Sequence, residues 1–351
     1  MLSLALLLLG IGLLLTGINL LSDSLKRIGG PRFFHLAARY MSPRWKALLL
    51  GLGAGAALQS TSAAMFTLAS LISVGSVSAS QAISILTGFS VGNCLIPFLV
   101  SFKIRTAVFF LVGVSSILLY FSKDERLRNI LSVAFGLGLI FLGIEMMLDG
   151  VRPLRAEPWF VRVLAVAGEW HGLNIFVGVL LGFIVQSSTA VVVVAIGLAK
   201  GGILTSEEVL LVTYGAALGS TAFKALLGAA LTGSARQLVR FVNLFNVTGA
   251  ALFILLYYIE LYLHIPLVMA AIARLSPDPA LQAAWAFLLL NLSAALIYIV
   301  IHDPIASILA RQFPPTADES SIVVAATPGV DVQGASIIIP ASGVRSQGFQ
   351  P

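Results

Sequence analysis

The sequence predicts an all-α, polytopic membrane protein. Of its 351 residues, 58% are hydrophobic and only 10% are charged, whereas about a quarter of the residues in a soluble domain are charged. The apolar residues fall into nine runs, most of them long enough to cross about 30 Å of hydrocarbon as helices. The runs are 2–24, 47–73, 79–101, 104–121, 129–150, 173–199, 206–231, 238–260 and 281–301.

The charged residues support this class and exclude others. The net charge of +6 does not indicate a nucleic-acid partner, because the basic residues lie in short loops, where they fix membrane orientation. The single cysteine, Cys94, excludes an intrachain disulfide. The first run is not a typical signal peptide, because it lacks a basic leading region and Asp23 follows it in place of a cleavage site.

The chain repeats itself. Gly10, Gly17 and Asp23 recur 126 residues later, and after one inserted residue an offset of 127 holds for more than forty positions. This second register pairs Gly51 with Gly178, Gly55 with Gly182, Gln59 with Gln186, Ser60 with Ser187, Gly88 with Gly215 and Gly92 with Gly219. We therefore predict two transmembrane repeats, 1–128 and 129–262, and a C-terminal helix within 263–312. A polar, disordered tail without a regulatory domain is expected at 313–351.

Each repeat carries a polar cluster inside an apolar run. Gln59-Ser60-Thr61-Ser62 lies within 47–73, and Gln186-Ser187-Ser188-Thr189 lies within 173–199. One interpretation is a continuous helix whose hydroxyls bond to carbonyls one turn earlier. The other is a re-entrant hairpin of two half-helices that meet at the polar tip near the membrane midplane. The matching register favours the hairpin, whose second half-helix would offer free N–H groups and hydroxyls to an anion.

Helix signals follow each tip at the same distance. Gly75 and Gly202 suit helix C-caps, and capping boxes begin at Ser78 and at Thr205. Each repeat is therefore expected to start a new helix at this point.

The next helix of the first repeat contains Gly88-Phe89-Ser90-Val91-Gly92, which fits the nucleophile motif of hydrolases. We reject an enzyme, because that motif needs a preceding strand and the second repeat has Ala217 in place of the serine. The glycines instead indicate close helix packing. A polar kink is expected after them, at Asn93-Cys94 in one half and at Ser220-Thr221 in the other.

The topology depends on whether 47–73 crosses the membrane. If it crosses, the halves are parallel; if it returns as a hairpin, the halves are inverted. Loop 25–46 holds six basic residues and no acid, whereas its duplicate 151–172 holds three arginines and two glutamates. The positive-inside rule therefore favours inversion, with loop 25–46 cytoplasmic and the protein in the plasma (inner) membrane. Lys103 and Arg105 would then lie outside, against the rule.

The twin Gln-Ser tips, each followed by a glycine-rich polar motif, resemble the type II sodium-dependent phosphate cotransporter family over residues 1–255. Leu244-Phe245-Asn246-Val247-Thr248-Gly249 is similar to another segment of that family. The resemblance implies inverted repeats and sodium-coupled phosphate symport by alternating access, without a further cofactor. It places phosphate and sodium at Gln59, Ser60, Thr61, Ser62, Gln186, Ser187, Ser188 and Thr189, with sodium near Gln59, Gln186 and Ser188.

The second family motif departs from its usual form. Ser90 and Ala217 stand where the family has asparagine, and its threonine pair becomes Asn93-Cys94 or Ser220-Thr221. We still include Asn93, Ser220 and Thr221 among the candidate binding residues. Two other functions stay open: a carrier for another small anion, such as a carboxylate or sulfate, and a non-transporting membrane scaffold.

Lys224 is a charged residue within the apolar run 206–231. An ammonium in the bilayer interior costs about 3 kcal/mol on insertion scales, so such residues are either functional or extended to the interface. The duplicate position is Pro97, so the repeat does not require this charge. Either Lys224 snorkels to the interface, or its ammonium replaces a bound sodium or contacts the anion.

Overall fold

The structure, a computed structural model, describes residues 2–38, 43–73, 76–102, 105–154, 157, 158, 162, 170–229, 231–314 and 316. Within these residues every regular element is an α-helix, as the composition predicts. The helices are α1 (Leu2–Ala38), α2 (Arg44–Leu58), α3 (Thr61–Ser73), α4 (Ala79–Gly92), α5 (Leu95–Ser101), α6 (Arg105–Phe121), α7 (Glu125–Leu154), α8 (His171–Val185), α9 (Ser188–Lys200), α10 (Ser206–Gly228), α11 (Gly233–Leu263), α12 (Val268–Leu275), α13 (Pro279–Val300) and α14 (His302–Gln312).

Six helical segments of the described chain are long and apolar enough to cross a membrane. They are α1, α4 together with α5, α7, α10, α11 and α13. The predicted runs 47–73 and 173–199 are instead pairs of short helices, α2–α3 and α8–α9. Large apolar side chains such as Phe110 and Ile117 of α6 are exposed on the outside, as expected where a surface contacts lipid. The chain is an integral membrane protein.

Helices α1 and α7 cross through glycines. A Cβ atom at Gly10 would lie 2.6 Å from the carbonyl oxygen of Gly143, and one at Gly17 would lie 2.7 Å from that of Gly136. Residue numbers rise along one helix as they fall along the other, so the two helices are antiparallel. Gly10 and Gly17 correspond to Gly136 and Gly143 in the sequence repeat, so each half makes the same contact with the other.

The short helices pack on their neighbours in the same way in both halves. A Cβ atom at Gly51 of α2 would lie 2.0 Å from the carbonyl oxygen of Ile85 in α4. In the second half, a Cβ atom at Gly178 of α8 would lie 2.3 Å from the carbonyl oxygen of Val212 in α10. Both partners are shifted by 127 residues, so the sequence repeat recurs as a repeat of helix contacts.

The α2–α3 pair begins and ends beside one short segment of the chain. Arg44, at the start of α2, donates to Asp303 through Nη1 (3.1 Å to Oδ2) and Nη2 (2.5 Å to Oδ1). The adjacent residue, His302, has its Nε2 atom 3.1 Å from the carbonyl oxygen of Ser80, in the first turn of α4. The chain therefore leaves this segment in α2 and returns to it after α3.

The α8–α9 pair shows the same arrangement. His171, at the start of α8, has its Nε2 atom 2.8 Å from Oε1 of Glu207, in the first turn of α10. The predicted capping boxes at Ser78 and Thr205 are both present. Gly202 ends α9 with a φ of 62°, as predicted, whereas Gly75 lies outside the described residues.

Candidate functional site

Both helix pairs break at the predicted glutamines. Gln59 has a φ of 52° and Gln186 a φ of 62°, in the left-handed region. Their backbone N–H groups still donate to Gly55 (3.2 Å) and Gly182 (3.0 Å) and so close the preceding helices. The continuous-helix alternative is therefore wrong for both segments. Left-handed backbone is uncommon for residues other than glycine, and strained residues of this kind concentrate at functional sites.

A new helix starts directly after each break. The Oγ atom of Ser60 accepts a hydrogen bond from the N–H of Ala63 (3.4 Å), and Oγ of Ser187 accepts one from the N–H of Ala190 (3.2 Å). The other first-turn N–H groups of α3 and α9 have no partner within their own helices. A helix N-terminus also carries partial positive charge, so each tip is suited to an anion.

The two tips meet around one small cavity. Its volume is about 70 Å³, several times the ~10–15 Å³ that one water molecule requires. Nine of the twelve predicted site residues line it: Ser60, Thr61, Ser62, Asn93, Gln186, Ser187, Ser188, Thr189 and Lys224. Residues that lie more than a hundred positions apart in the sequence thus form one polar surface.

Two buried side-chain oxygens, one in the tip cavity and one at the end of α2, have no hydrogen-bond partner among the described residues. Asn93, at the break between α4 and α5, donates from Nδ2 to Oγ1 of Thr189 (3.0 Å), while its Oδ1 atom accepts no hydrogen bond. Gln59 turns back on its own helix, where Nε2 donates to the carbonyl oxygen of Gly55 (2.9 Å), and its Oε1 atom is also without a partner. Buried polar atoms are rarely left unpaired, so both oxygens are candidates to contact a ligand.

Lys224 is buried within the bundle. Its residue is 6% exposed, and it lines the tip cavity. Among the described residues, no carboxylate lies within 4.0 Å of its ammonium. The snorkelling alternative is therefore wrong, because the side chain does not extend to the surface. A buried ammonium without an acidic partner leaves a positive charge directed at the polar tips.

Three predicted residues do not line the tip cavity. Gln59 is turned away as described. Ser220 and Thr221 donate to the carbonyl oxygen of Ala217 (3.2 and 2.7 Å) within the uninterrupted helix α10. The expected break in the helix is therefore present at Asn93 and absent at Ser220. Thr221 lines a separate cavity of about 720 Å³ instead.

Residues of α1 that were not predicted also border the tips. A cavity of about 420 Å³ is lined by Asn19, Asp23 and Lys26 of α1 and extends to Ser60 and Ser187 at the tips. Asp23 and its recurrence 126 residues later were visible in the sequence, but nothing indicated which helix face they occupy.

The described residues contain no group of three or more His, Cys, Asp or Glu side chains that could hold a metal ion.

These features define a class: a polytopic membrane protein with an enclosed polar site between two pairs of broken helices. The profile of the Na+/Pi-cotransporter family matches residues 13–149 and 155–276 of the chain. The chain belongs to this family, as the twin Gln-Ser motifs predict.

Curated relatives are distant. Over 307 residues the chain is 26% identical to "Putative inorganic phosphate export protein YjbB" of Escherichia coli (strain K12). This alignment covers 87% of the chain and 55% of the relative. Over 262 residues it is 25% identical to "Uncharacterized protein YqeW" of Bacillus subtilis (strain 168). This second alignment covers 74% of the chain and 81% of the relative. The chain thus spans about half the length of the Escherichia coli relative. No solved structure is significantly similar to it.

Proposed function

We propose that the chain is a secondary active transporter that carries inorganic phosphate together with sodium by alternating access. The observation that carries the proposal is the convergence of two helix N-termini and the Lys224 ammonium on one cavity. Membership of the Na+/Pi-cotransporter family and the phosphate named for the Escherichia coli relative support the same substrate.

The anion would be held by dipoles, hydroxyls and one full charge. Ser60, Ser187 and Ser188 would donate from their hydroxyls, together with the unpaired N–H groups of α3 and α9. Lys224 would supply a charge-assisted hydrogen bond, about twice as strong as a neutral one. No covalent step is needed, because the substrate crosses unchanged.

Sodium is proposed as a co-transported ion, held by oxygen atoms on the other side of each tip. The carbonyl ends of α2 and α8 carry partial negative charge, and Gln59, Gln186 and Ser188 lie at or next to these ends. The unpaired oxygens of Gln59 and Asn93 fit a hard cation. This division, with anion at helix starts and cation at helix ends, occurs in transporters with broken helices.

We further propose that α2–α3 and α8–α9 are re-entrant hairpins in two inverted repeats, with residues 25–46 in the cytoplasm. The prediction of a loop throughout 25–46 is wrong, because α1 continues to Ala38. The antiparallel contact of α1 with α7 supports inversion, because an inverted pair of equivalent helices must run in opposite directions. The contacts of Arg44 with Asp303 and of His302 with Ser80 support the first hairpin, since both its ends lie at one rim.

Cysteine labelling tests this topology. In a Cys94→Ser background, His35→Cys and Ser76→Cys should react with an impermeant reagent from one side of the membrane, and Ala165→Cys from the other. If position 76 reacts from the side opposite to position 35, segment 47–73 crosses the membrane and the inverted arrangement is excluded.

Transport is tested with purified protein in liposomes, by measuring labelled phosphate movement with and without a sodium gradient. Gradients in both directions are compared, because the name of the Escherichia coli relative specifies export. Movement of sulfate or a carboxylate in place of phosphate would assign the chain to another anion. Movement of none of these anions would leave the non-transporting scaffold.

A further inference from the structure

A second cavity, bordered by the same helix α10 as the tip site, has a chemistry of its own. It measures about 720 Å³ and lies between α10, α11 and α14. Thr221 and Ala225 line it from α10, Arg240 and Asn243 from α11, and Gln312 and Phe313 from the end of α14. We name it the basic cavity. Lys224, which lines the tip cavity, is adjacent to Ala225, so the same turn of α10 borders both cavities.

Arg240 gives the basic cavity its charge, and Arg236 lies one turn earlier on α11 without lining the cavity. The guanidinium carbons of Arg236 and Arg240 lie 4.9 and 5.9 Å from the ring centre of Phe313. Gln237 holds Phe313 in place by donating from Nε2 to the Phe313 carbonyl oxygen (2.6 Å). In the described part of the chain, neither guanidinium has a carboxylate within 4.0 Å. Within the described residues, no carboxylate neutralises their positive charge.

A buried amide beside them also lacks its partners. Asn243 is 7% exposed, and in the described part of the chain both its Nδ2 and Oδ1 atoms are buried without a hydrogen bond. It lies three residues after Arg240 on the same face of α11, so the amide and the guanidinium border the same space. The Nε atom of Arg236 is likewise buried and unpaired. Unpaired buried donors next to uncompensated cations are suited to an oxyanion.

The repeat does not explain these residues. The positions 127 residues earlier, in α6, are Gly113 for Arg240 and Ser116 for Asn243, and Ser116 is exposed. The first half therefore has neither an arginine nor an asparagine at these positions, and the duplicated tips do not require them.

We propose that the basic cavity is a second binding site for a phosphate oxyanion, separate from the tips. Arg240 binds two phosphate oxygens through its planar guanidinium, and Nδ2 of Asn243 donates to a third. Leu244 and Val247, which are 41% and 43% exposed, form an apolar side of the same cavity. The phosphate thus comes either from solution or from the headgroup of an anionic lipid. This inference does not require that the chain transports phosphate.

Binding of labelled inorganic phosphate tests the site, with the full chain in nanodiscs of zwitterionic lipid. Arg240→Gln and Asn243→Leu should each weaken the component of phosphate binding that belongs to the basic cavity by roughly tenfold, about 1.4 kcal/mol. Ser187→Ala should leave that component intact, because it alters only the tips. Arg311→Gln, an exposed arginine of α14 that does not line the cavity, is the matched control.

A second arm measures phosphatidylglycerol that stays bound to the purified chain. Lower retention in Arg240→Gln and Asn243→Leu, with phosphate binding unchanged, would identify a lipid headgroup as the source. Arg240→Lys keeps the charge and should retain part of the binding, which separates loss of the site from loss of folding. If all three variants bind phosphate and phosphatidylglycerol as the parent does, the site does not exist.

Discussion

Two cavities of the molecule are lined by equivalent positions of its internal repeat, yet they extend to different residues. One, of about 420 Å³, lies along α1, and the other, of about 330 Å³, lies along α7. Each is lined by equivalent positions 126 residues apart: Leu15 and Phe141, Ile18 and Ile144, Asn19 and Glu145, Ser22 and Leu148, Lys26 and Arg152.

The far walls of the two cavities are different. The α1 cavity reaches Ser60 and Ser187 at the tips. The α7 cavity stops at Lys200, whose Nζ atom donates to the carbonyl oxygens of Val100 (2.7 Å) and Phe102 (2.9 Å). The position equivalent to Lys200 in the first half is Ser73, which bonds only within its own helix. The Lys200 ammonium thus joins the end of α9 to the end of α5, whereas the Ser73 hydroxyl bonds within α3.

This difference shows how a duplicated fold produces unequal access. If both cavities reached the tips, a solute could leak through, whereas a transporter needs one side closed at a time. The structure has the tips open toward Asp23 and Lys26, which under the proposed topology is the cytoplasmic side. A conformation in which the α7 cavity reached the tips and the α1 cavity did not would open the tips to the other side of the membrane.

The largest effect is expected at the tips, on which the comparison depends. Ser60→Ala and Ser187→Ala each remove a hydroxyl that would bond to charged phosphate, worth about 1.5–3 kcal/mol. We expect roughly 10–100-fold weaker phosphate transport. Stability should fall by only about 1 kcal/mol through loss of the helix cap. Uptake in proteoliposomes and thermal unfolding measure the two effects.

Ser73→Ala is the matched control, because this serine lies on α3 away from the tip cavity. If Ser60→Ala and Ser187→Ala both transport with the rate and apparent affinity of the parent, the assigned site is wrong.

A somewhat smaller effect is expected from Lys224→Thr. If the ammonium replaces one sodium, its removal should lower transport by about tenfold at low sodium, and high sodium should restore part of it. The measurement is phosphate uptake as a function of sodium concentration. Uptake that matches the parent in rate, affinity and sodium dependence would show that Lys224 serves neither ion.

A severalfold effect is expected at the closed cavity. In a Cys94→Ser background, Ser60→Cys should react with an impermeant reagent mainly from the side of residues 25–46. Adding Lys200→Met removes two charge-assisted hydrogen bonds, so reaction from the opposite side should rise by about threefold or more. An unchanged ratio between the two sides would show that Lys200 does not hold this cavity closed.

Much of the site could be predicted because its signals are local and duplicated. A matched Gln-Ser pair located both breaks, and Ser78 and Thr205 located the next helices. The sequence could not show that Gln59 turns back on its own helix, or that the hydroxyls of Ser220 and Thr221 are satisfied within α10. These side-chain conformations and hydrogen bonds depend on packing against other helices.

The basic cavity could not be predicted for a different reason. Arg240 and Asn243 resemble ordinary polar residues near the end of a span, and only the return of α14 places Phe313 over them. The orientation of the repeats in the membrane stays a prediction, because helix contacts alone do not locate the bilayer.

The smallest effect is expected at the base of the first helix pair, where Arg44 contacts Asp303. The Arg44 guanidinium, followed by the His302 ring, holds the pKa of the Asp303 carboxyl below its usual range. A depressed carboxyl pKa stabilises the folded state above the unfolded pKa of about 3.9, and this contribution is lost as pH falls through the folded value. Asp303→Asn should therefore lower the melting temperature slightly at pH 7, and the difference from the parent should be smaller at pH 3. Both side chains are exposed, so a shift of only a degree or two is expected. Thermal unfolding of the detergent-solubilised protein at the two pH values measures it. An equal difference at both would show that the substitution acts through packing and not through the lost charge pair.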